Sequence, residues 1–273
     1  MIKRGDWPIA VCTWSLGNDF DKLGALRRQT GLNHIHLAVS PALGANGKNY
    51  LERIRNEGFS ITATMIDFEQ EDYSTLESIK ATGGIVPDLY WQENQKRVFD
   101  AIDITAELGV KYLTLHFGFI DIKDREKAAK LLKRVRILSD AAAKQNVQLL
   151  METGQETAAQ LRRFLKGLNH PALAVNFDPA NMILYDKGNP IEAVKVLAKW
   201  IKQVHIKDAK KTKTPGTWGA EVTWSSGHVG SNEFLKALEW IGYTGALAIE
   251  REAGDDRFDD TKEAIKILTG AEK

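Results

Sequence analysis

Four ionisable residues stand at the ends of apolar stretches that lie far apart in the chain. Glu152 closes Val-Gln-Leu-Leu-Met, Asp178 closes Ala-Val-Asn-Phe, His205 sits within Gln-Val-His-Ile, and Glu250 closes Ala-Leu-Ala-Ile. Three carboxylates crowded together repel one another and rise in pKa unless a cation neutralises them. A divalent ion and one imidazole complete a compact site, with open positions left for substrate oxygens. The four are therefore read as ligands of one metal, taken first as Mn2+, with Mg2+, Co2+ and Zn2+ also admitted by this donor set. Salt bridges to Lys207, Arg251 or His116 are the competing explanation. They would account for any one of the four more easily than for all of them at successive strand ends.

The chemistry follows from placement. On an eight-membered ring of strands, the fifth and eighth are three positions apart, so Glu152 and Glu250 approach a bound ligand from nearly opposite sides. A metal that polarises a carbonyl acidifies the neighbouring carbon and stabilises the enediolate, and one glutamate can remove the proton that the other returns. The product is an epimer or an aldose–ketose isomer. If the enediolate expels a leaving group instead, the same residues make a lyase or dehydratase acting on a keto-inositol or keto-glycoside.

Such convergence needs a scaffold, and the chain supplies a repeated one. Eight short apolar segments begin near Ile9, His34, Ser60, Tyr112, Val147, Ala172, Gln203 and Ala246, each followed by a stretch of helical period. Gly31, Gly58, Gly109 and Gly242 follow helical stretches, and Asn146 and Asn169 stand where glycine could, as left-handed helix ends require. No linker-like stretch divides residues 1–273, and no nucleotide-type glycine fingerprint marks an open sheet. The α/β pattern predicts a single (β/α)8 barrel, one domain over 1–273, with its active site at the C-terminal ends of the strands. Alternation assigns the faces: Leu113, Leu115 and Phe117 pack outward while Tyr112, Thr114 and His116 point inward. Likewise Ala174, Asn176 and Asp178, then Gln203, His205 and Lys207, share inward faces, and strand two sets His34 and His36 against Ile35 and Leu37. Two long connections, Asp67 to Tyr90 and Asp208 to Gly230, both follow strands and so belong to the active face. They read as a substrate lid, or alternatively as insertions that are decorative or build a homo-oligomer.

Bulk composition narrows the partners. The 273 residues carry 37 basic and 36 acidic side chains, so no global field draws the chain to nucleic acid or anionic lipid. No apolar run is long enough to cross a bilayer. Asp6 and Pro8 interrupt any apolar stretch after the basic start Met1-Ile-Lys-Arg, which argues against an export signal. Cys12 is the one cysteine, which suits a reducing, cytoplasmic compartment and leaves any metal to oxygen and nitrogen donors.

Across the whole chain, Leu-Thr-Leu-His116-Phe-Gly, Leu-Leu-Met-Glu152-Thr-Gly, Val-Asn-Phe-Asp178-Pro-Ala-Asn181, Val-His205-Ile-Lys207-Asp208, Thr-Trp218-Gly-Ala-Glu221-Val and Ile-Glu250-Arg251-Glu occur in this order. The set resembles the xylose isomerase-like barrel superfamily of sugar-phosphate isomerases and epimerases. The resemblance implies that Glu152, Asp178, His205 and Glu250 bind one metal and that the two glutamates double as acid and base. Several relatives carry histidine where Asn181 stands, which binds substrate or a second metal; Asn181 is a poor ligand, so multinuclear zinc is not expected. The loop Ser225-Ser-Gly-His228-Val-Gly replaces a stretch that is often acidic, which brings His228 forward for substrate or, alternatively, for solvent.

The remaining substrate contacts are expected from His116, Lys207, Asn181, Trp14, Trp218, Glu221 and Arg251. Trp14 and Trp218 would wall a sugar ring. Lys207 could hold a hydroxyl, a phosphate or a developing oxyanion, or instead pair with Asp178 or Glu250. Glu252 shares the parity of Glu250 and rivals it. The expected partner is a small sugar or polyol, with its phosphorylation left open. An abasic-site nuclease of the same superfamily fits less well with the charge balance, and a non-catalytic sugar binder would leave the acid and base residues idle.

Overall fold

The computed structural model describes residues 2–120 and 124–270, so Met1 of the basic start lies outside them. Period-two segments bury their apolar face under helices, and the eight that do so are parallel strands. They are β1 (Trp7–Cys12), β2 (His34–Ala38), β3 (Ser60–Ile66), β4 (Tyr112–Leu115), β5 (Gln148–Glu152), β6 (Leu173–Phe177), β7 (Ile201–Ile206) and β8 (Leu247–Ile249). Each pairs with its successor, and β8 returns to β1 through Ala248 opposite Ala10, closing a (β/α)8 barrel. Several strands start one or two residues from the expected point, at Trp7, Gln148, Leu173, Ile201 and Leu247. The six expected helix-stop residues all have positive φ, from 45° at Asn169 to 75° at Gly31.

Outward residues form the main core. Leu113, Leu115, Val175, Phe177, Val204 and Ile206 are buried among the surrounding helices, and Phe177 stacks on Phe234 at 5.8 Å between centroids. Each such side chain contributes roughly 1.5–3 kcal/mol by leaving water. The barrel axis is different: its lower part holds Ala10, Cys12 and Ala248, with Gln203 Nε2 donating to Thr62 Oγ1 at 3.3 Å. Above this layer the inward residues are His36, Thr114, Asn176 and His205, all fully buried. Buried polar groups of that density must satisfy one another or a ligand.

Both long connections lie on the face formed by the strand C-termini. The first contains a short helix (Leu76–Thr82) opened by a capping box between Thr75 and Ser78. Its return path crosses β4 at a glycine pair: a Cβ on Gly84 (φ 64°) would stand 2.3 Å from Gly118 N. Glu71 Oε1 accepts from Gly84 N at 2.9 Å, and Arg134, itself buried, donates to Ile85 O at 2.8 Å. The second connection forms an antiparallel hairpin, Asp208–Lys210 with Ala220–Val222. Asp208, buried, anchors it by accepting from Ala209 N, Gly227 N and Val229 N at 2.8, 2.9 and 3.1 Å. No helix among the described residues is long and apolar enough to cross a membrane.

Candidate metal centre and substrate cavity

Four strands deliver one side chain each to a single point. One ligand atom from each of Glu152, Asp178, His205 and Glu250 lies within 4.8 Å of all the others, and all four residues are buried. Ligands on one ion about 2.1 Å away stand at most about 4.2 Å apart, so a small contraction of this cluster would meet a Mg2+-sized cation. His205 Nδ1 is the hub, 3.2 Å from Glu250 Oε2, 3.4 Å from Asp178 Oδ2 and 3.6 Å from Glu152 Oε1.

Asp178 is prepared for this by its local sequence. It caps the short helix Pro179–Leu184, with Oδ1 accepting from Asn181 N at 2.8 Å, and Pro179 occupies the first helical position where no amide proton is needed. Thr153 Oγ1 ties the ends of β5 and β6 together by accepting from Asp178 N at 2.8 Å and donating to Asp178 O at 2.9 Å. Oδ2, turned toward the cluster, is buried and accepts no hydrogen bond. A buried carboxylate oxygen without a donor is costly, and a cation is what removes that cost. The donor set thus fits a divalent metal.

The two glutamates sit in unlike surroundings. Glu152 Oε1 accepts from Asn181 Nδ2 at 2.9 Å, its Oε2 accepts from Asn176 Nδ2 at 3.3 Å, and His116 Nε2 lies 3.8 Å from Oε2. Glu250 Oε1 accepts from the Trp14 indole at 2.7 Å and Oε2 from Lys207 Nζ at 2.9 Å. Lys207 also donates to Glu252 Oε2 at 2.6 Å.

These neighbours set the charges. Burial opposes ionisation of Glu152, but His205 and His116 outweigh it and hold the carboxyl below the usual range. Glu250 is likewise buried, and Lys207 and His205 hold it well below that range. Asp178 lacks equal compensation: burial raises it to about 6 against the opposing pull of Lys207. Burial would lower His205 and His116, yet the facing carboxylates, Glu250 first for one and Glu71 first for the other, raise both well above the ordinary histidine value.

Above the cluster opens a cavity of about 760 Å3, lined by Trp14, Met65, Phe68, Tyr73 and Tyr185 and by the polar groups of His116, Glu152, Asn181, Lys207, Glu250 and Glu252. Its size lies within the range of small-molecule sites. The connection after β3 reaches this cavity. Tyr73 OH lies 2.9 Å from His116 Nδ1 and donates to Glu71 Oε2 at 3.2 Å, while His116 Nδ1 is 3.2 Å from the same oxygen. Glu71 and Tyr73 were missed in the sequence because a loop residue carries no periodic signal; only the loop's place after a strand pointed there.

Of the expected substrate contacts, the structure brings Trp14, His116, Asn181 and Lys207 to the cavity wall. It employs the other four elsewhere. Arg251 donates to Glu221 Oε1 at 2.6 Å and to Asp260 Oδ2 at 2.8 Å, and Glu221 also accepts from the backbone of Glu252 and Ala253. Together they shape the chain leaving β8. Trp218 packs edge-on against Tyr185 at 4.8 Å between centroids, supporting a wall residue from behind. His228 is exposed, and its Nδ1 accepts from Lys211 N at 3.0 Å within its own loop. Glu252 belongs to Lys207 rather than to the ligand cluster.

Comparison with known proteins agrees with this fold. The chain matches the family described as xylose isomerase-like TIM barrel over residues 28–270. A xylose isomerase domain protein from Planctomyces limnophilus is 30% identical, with 97% of this chain and 96% of that one covered and a TM-score of 0.89. A xylose isomerase-like TIM barrel protein from Mycobacterium smegmatis, solved in complex with magnesium, is 19% identical with 99% of each chain covered and a TM-score of 0.71. A D-allulose 3-epimerase from Methylomonas sp., solved with D-allulose, is 15% identical, with 97% and 96% covered and a TM-score of 0.71. No curated protein sequence matches the chain. By the extent of the family match and of the similarity to the Planctomyces protein, the chain belongs to the xylose isomerase-like TIM barrel family.

Proposed function

We propose that this protein is a divalent-metal-dependent isomerase or epimerase of an unphosphorylated sugar or related polyol. The observation that carries the reading is the four-residue cluster at the cavity floor, in which two of the candidate ligands are glutamates from strands on either side of the one that carries His205. Glu152, Asp178, His205 and Glu250 would hold the cation. When bound, a divalent ion, Mn2+ being the first choice, would polarise a substrate carbonyl and offset the negative charge that develops on its oxygen.

The chain's own residues do the rest. Glu152, set by Asn181 and Asn176, takes the proton from the carbon beside the carbonyl, and Glu250 returns one from the other side, relaying a proton from the Lys207 ammonium that donates to it. Asn181 and His116 offer polar groups to hydroxyls, and Trp14, Phe68 and Tyr185 supply apolar faces that suit a sugar ring. The solved epimerase with bound D-allulose supports a ketose as the first substrate to try.

The absence of phosphate from the proposed substrate rests on charge. Lys207 already donates to Glu250 and Glu252, Arg97 to Asp67 and Glu69, and Arg251 to Glu221 and Asp260. Asp67, Glu69, Glu71 and Glu252 line the cavity. A phosphate group, or a nucleic-acid backbone, would meet carboxylates there and find these cations engaged.

The test is exchange of a substrate α-hydrogen with deuterated water over ketoses, inososes and keto-glycosides, each with its phosphorylated counterpart where one exists and each with a chelated control. Exchange with an unphosphorylated compound that is lost on chelation and in Glu152→Gln is the expected result. No exchange with any compound, or exchange indifferent to both treatments, refutes the proposed chemistry. An eliminated product in the same tubes would instead make the enzyme a lyase.

A further inference from the structure

We propose that His36 selects which nitrogen of His205 faces the metal, through a chain of hydrogen bonds anchored on the carbonyl of Thr64; this rests on the metal reading above. His36 and His205 are both fully buried, so water does not compete for their ring nitrogens. His36 Nε2 lies 3.2 Å from Thr64 O. A carbonyl only accepts, so that nitrogen carries a proton, and neutral His36 keeps its lone pair on Nδ1. His36 Nδ1 is 3.1 Å from His205 Nε2. That contact holds when His205 Nε2–H donates to it, so once the ring is neutral and keeps a single proton, Nδ1 is the lone-pair nitrogen. Nδ1 is the atom that faces Glu250, Asp178 and Glu152. One main-chain oxygen on β3, four strands round the barrel from His205, thus fixes the tautomer the metal requires, the usual task of a partner behind a ligating histidine.

Surrounding groups agree with this polarity. Thr114 Oγ1, 3.2 Å from His36 Nε2, can share its proton. Trp14 stands edge-on to His36 with centroids 5.0 Å apart and holds the ring in place. Asn176 lies on the other side of the same His205 nitrogen, with Nδ2 at 3.1 Å, and its Oδ1 is buried without a hydrogen-bond partner.

The rival use of the same atoms is a soft-metal site. Cys12, His36 and His205 also offer ligand atoms within 4.8 Å of one another, and all three are buried. The two uses are exclusive, because an ion between the rings needs both facing nitrogens unprotonated.

His36 is a positioning residue on this account, and the test reads protons and metal rather than turnover. Nitrogen-15 spectra of histidine-labelled protein, ion-free and loaded with diamagnetic Mg2+, should show the directly bonded proton of His205 on Nε2 in both states. Mn2+ affinity, followed by titration on protein whose circular dichroism and Tm match the wild type, should fall about 10–100-fold in His36→Phe. It should recover in large part in His36→Asn, whose Oδ1 can stand near the place of Nδ1. A proton on Nδ1 of the Mg2+-loaded protein, or a folded His36→Phe with unchanged affinity, overturns the proposal. So does a second equivalent of Zn2+ that disappears in Cys12→Ser. If the wild type binds no divalent ion, the metal reading falls, and the place of the single ring proton in ion-free protein at a pH high enough to neutralise His205 alone decides this one. Metal binding without turnover of any sugar would leave it standing and remove only the substrate reading.

Discussion

The site has two sides, and they are built on different principles. Around Glu152 stand neutral amides and a histidine: Asn181, Asn176 and His116, the last linked to Glu71 and Tyr73 of the connection after β3. Around Glu250 stands a lattice of full charges, in which Lys207 joins Glu250 to Glu252 while Arg251 joins Glu221 to Asp260. Glu152 is held ionised by the imidazoles of His205 and His116, with the two amides adding neutral donors. Glu250, clamped by an ammonium and an indole N–H, resists protonation. The difference teaches that two glutamates placed alike by sequence parity are unequal: Glu152 is kept charged by imidazoles, which can themselves give up a proton, and Glu250 also by an ammonium, which does not do so readily.

The comparison can be broken in several ways, the first with the largest expected effect. Glu152→Gln keeps two hydrogen-bonding atoms in place and removes the base, so α-hydrogen exchange should fall about 10²–10⁴-fold while the fold persists. A smaller loss than in Glu250→Gln would reverse the assignment of the two sides. Lys207→Met strips the buried Glu250 carboxylate of its cation. Ion-free protein should lose about 3–5 kcal/mol of stability in denaturant melts, with Mn2+ restoring much of it. If Lys207 were merely a substrate contact, stability would not move.

Asp178 links the two sides and gives the pH dependence. Burial lifts its carboxyl from 3.8 to about 6 in the ion-free protein. A raised acid pKa means that its ionisation costs stability, so the ion-free fold weakens as pH rises from 3.8 towards about 6. Metal binding needs the ionised form, so affinity should fall as pH drops below about 6, with proton release on binding visible by calorimetry. Asp178→Asn keeps Oδ1 as helix cap and should raise the Tm of ion-free protein by a few degrees above that pH while abolishing metal binding. An unchanged Tm would show that the orphaned oxygen is not strained. The smallest effects belong to the periphery. Tyr73→Phe should cost kcat/KM a few-fold, about 1 kcal/mol for one hydrogen bond, and His228→Ala should stay within about 0.5 kcal/mol of the wild type. Equal effects at both would remove the distinction between the two long connections.

What the sequence disclosed and what it hid divide along physical lines. Strand alternation follows from a period of two, so His205 and Lys207, or Asn176 and Asp178, could be placed on one inner face before any coordinates. Helix stops at Gly31 and Asn169 were legible for the same reason, since few residues tolerate left-handed backbone. Tertiary partners were not. Trp218, Arg251 and His228 have the right residue types in the right loops, but a loop's side chains are directed by its own hydrogen bonds. Those bonds send His228 to Lys211 and Arg251 to Asp260. His36 was assigned to the inner face, yet its depth beside His205 depends on the stagger between strands, which a pattern in one strand does not encode.

Asp178 has a consequence for how an ion would come and go. The same carboxylate that faces the cluster with Oδ2 begins the helix Pro179–Leu184 with Oδ1. Loss of that cap frays a helix only six residues long, and fraying withdraws a ligand. Escape of the ion and local opening of the helix then become one event, so the exchange rate of the Asn181 amide proton serves as a clock for metal release.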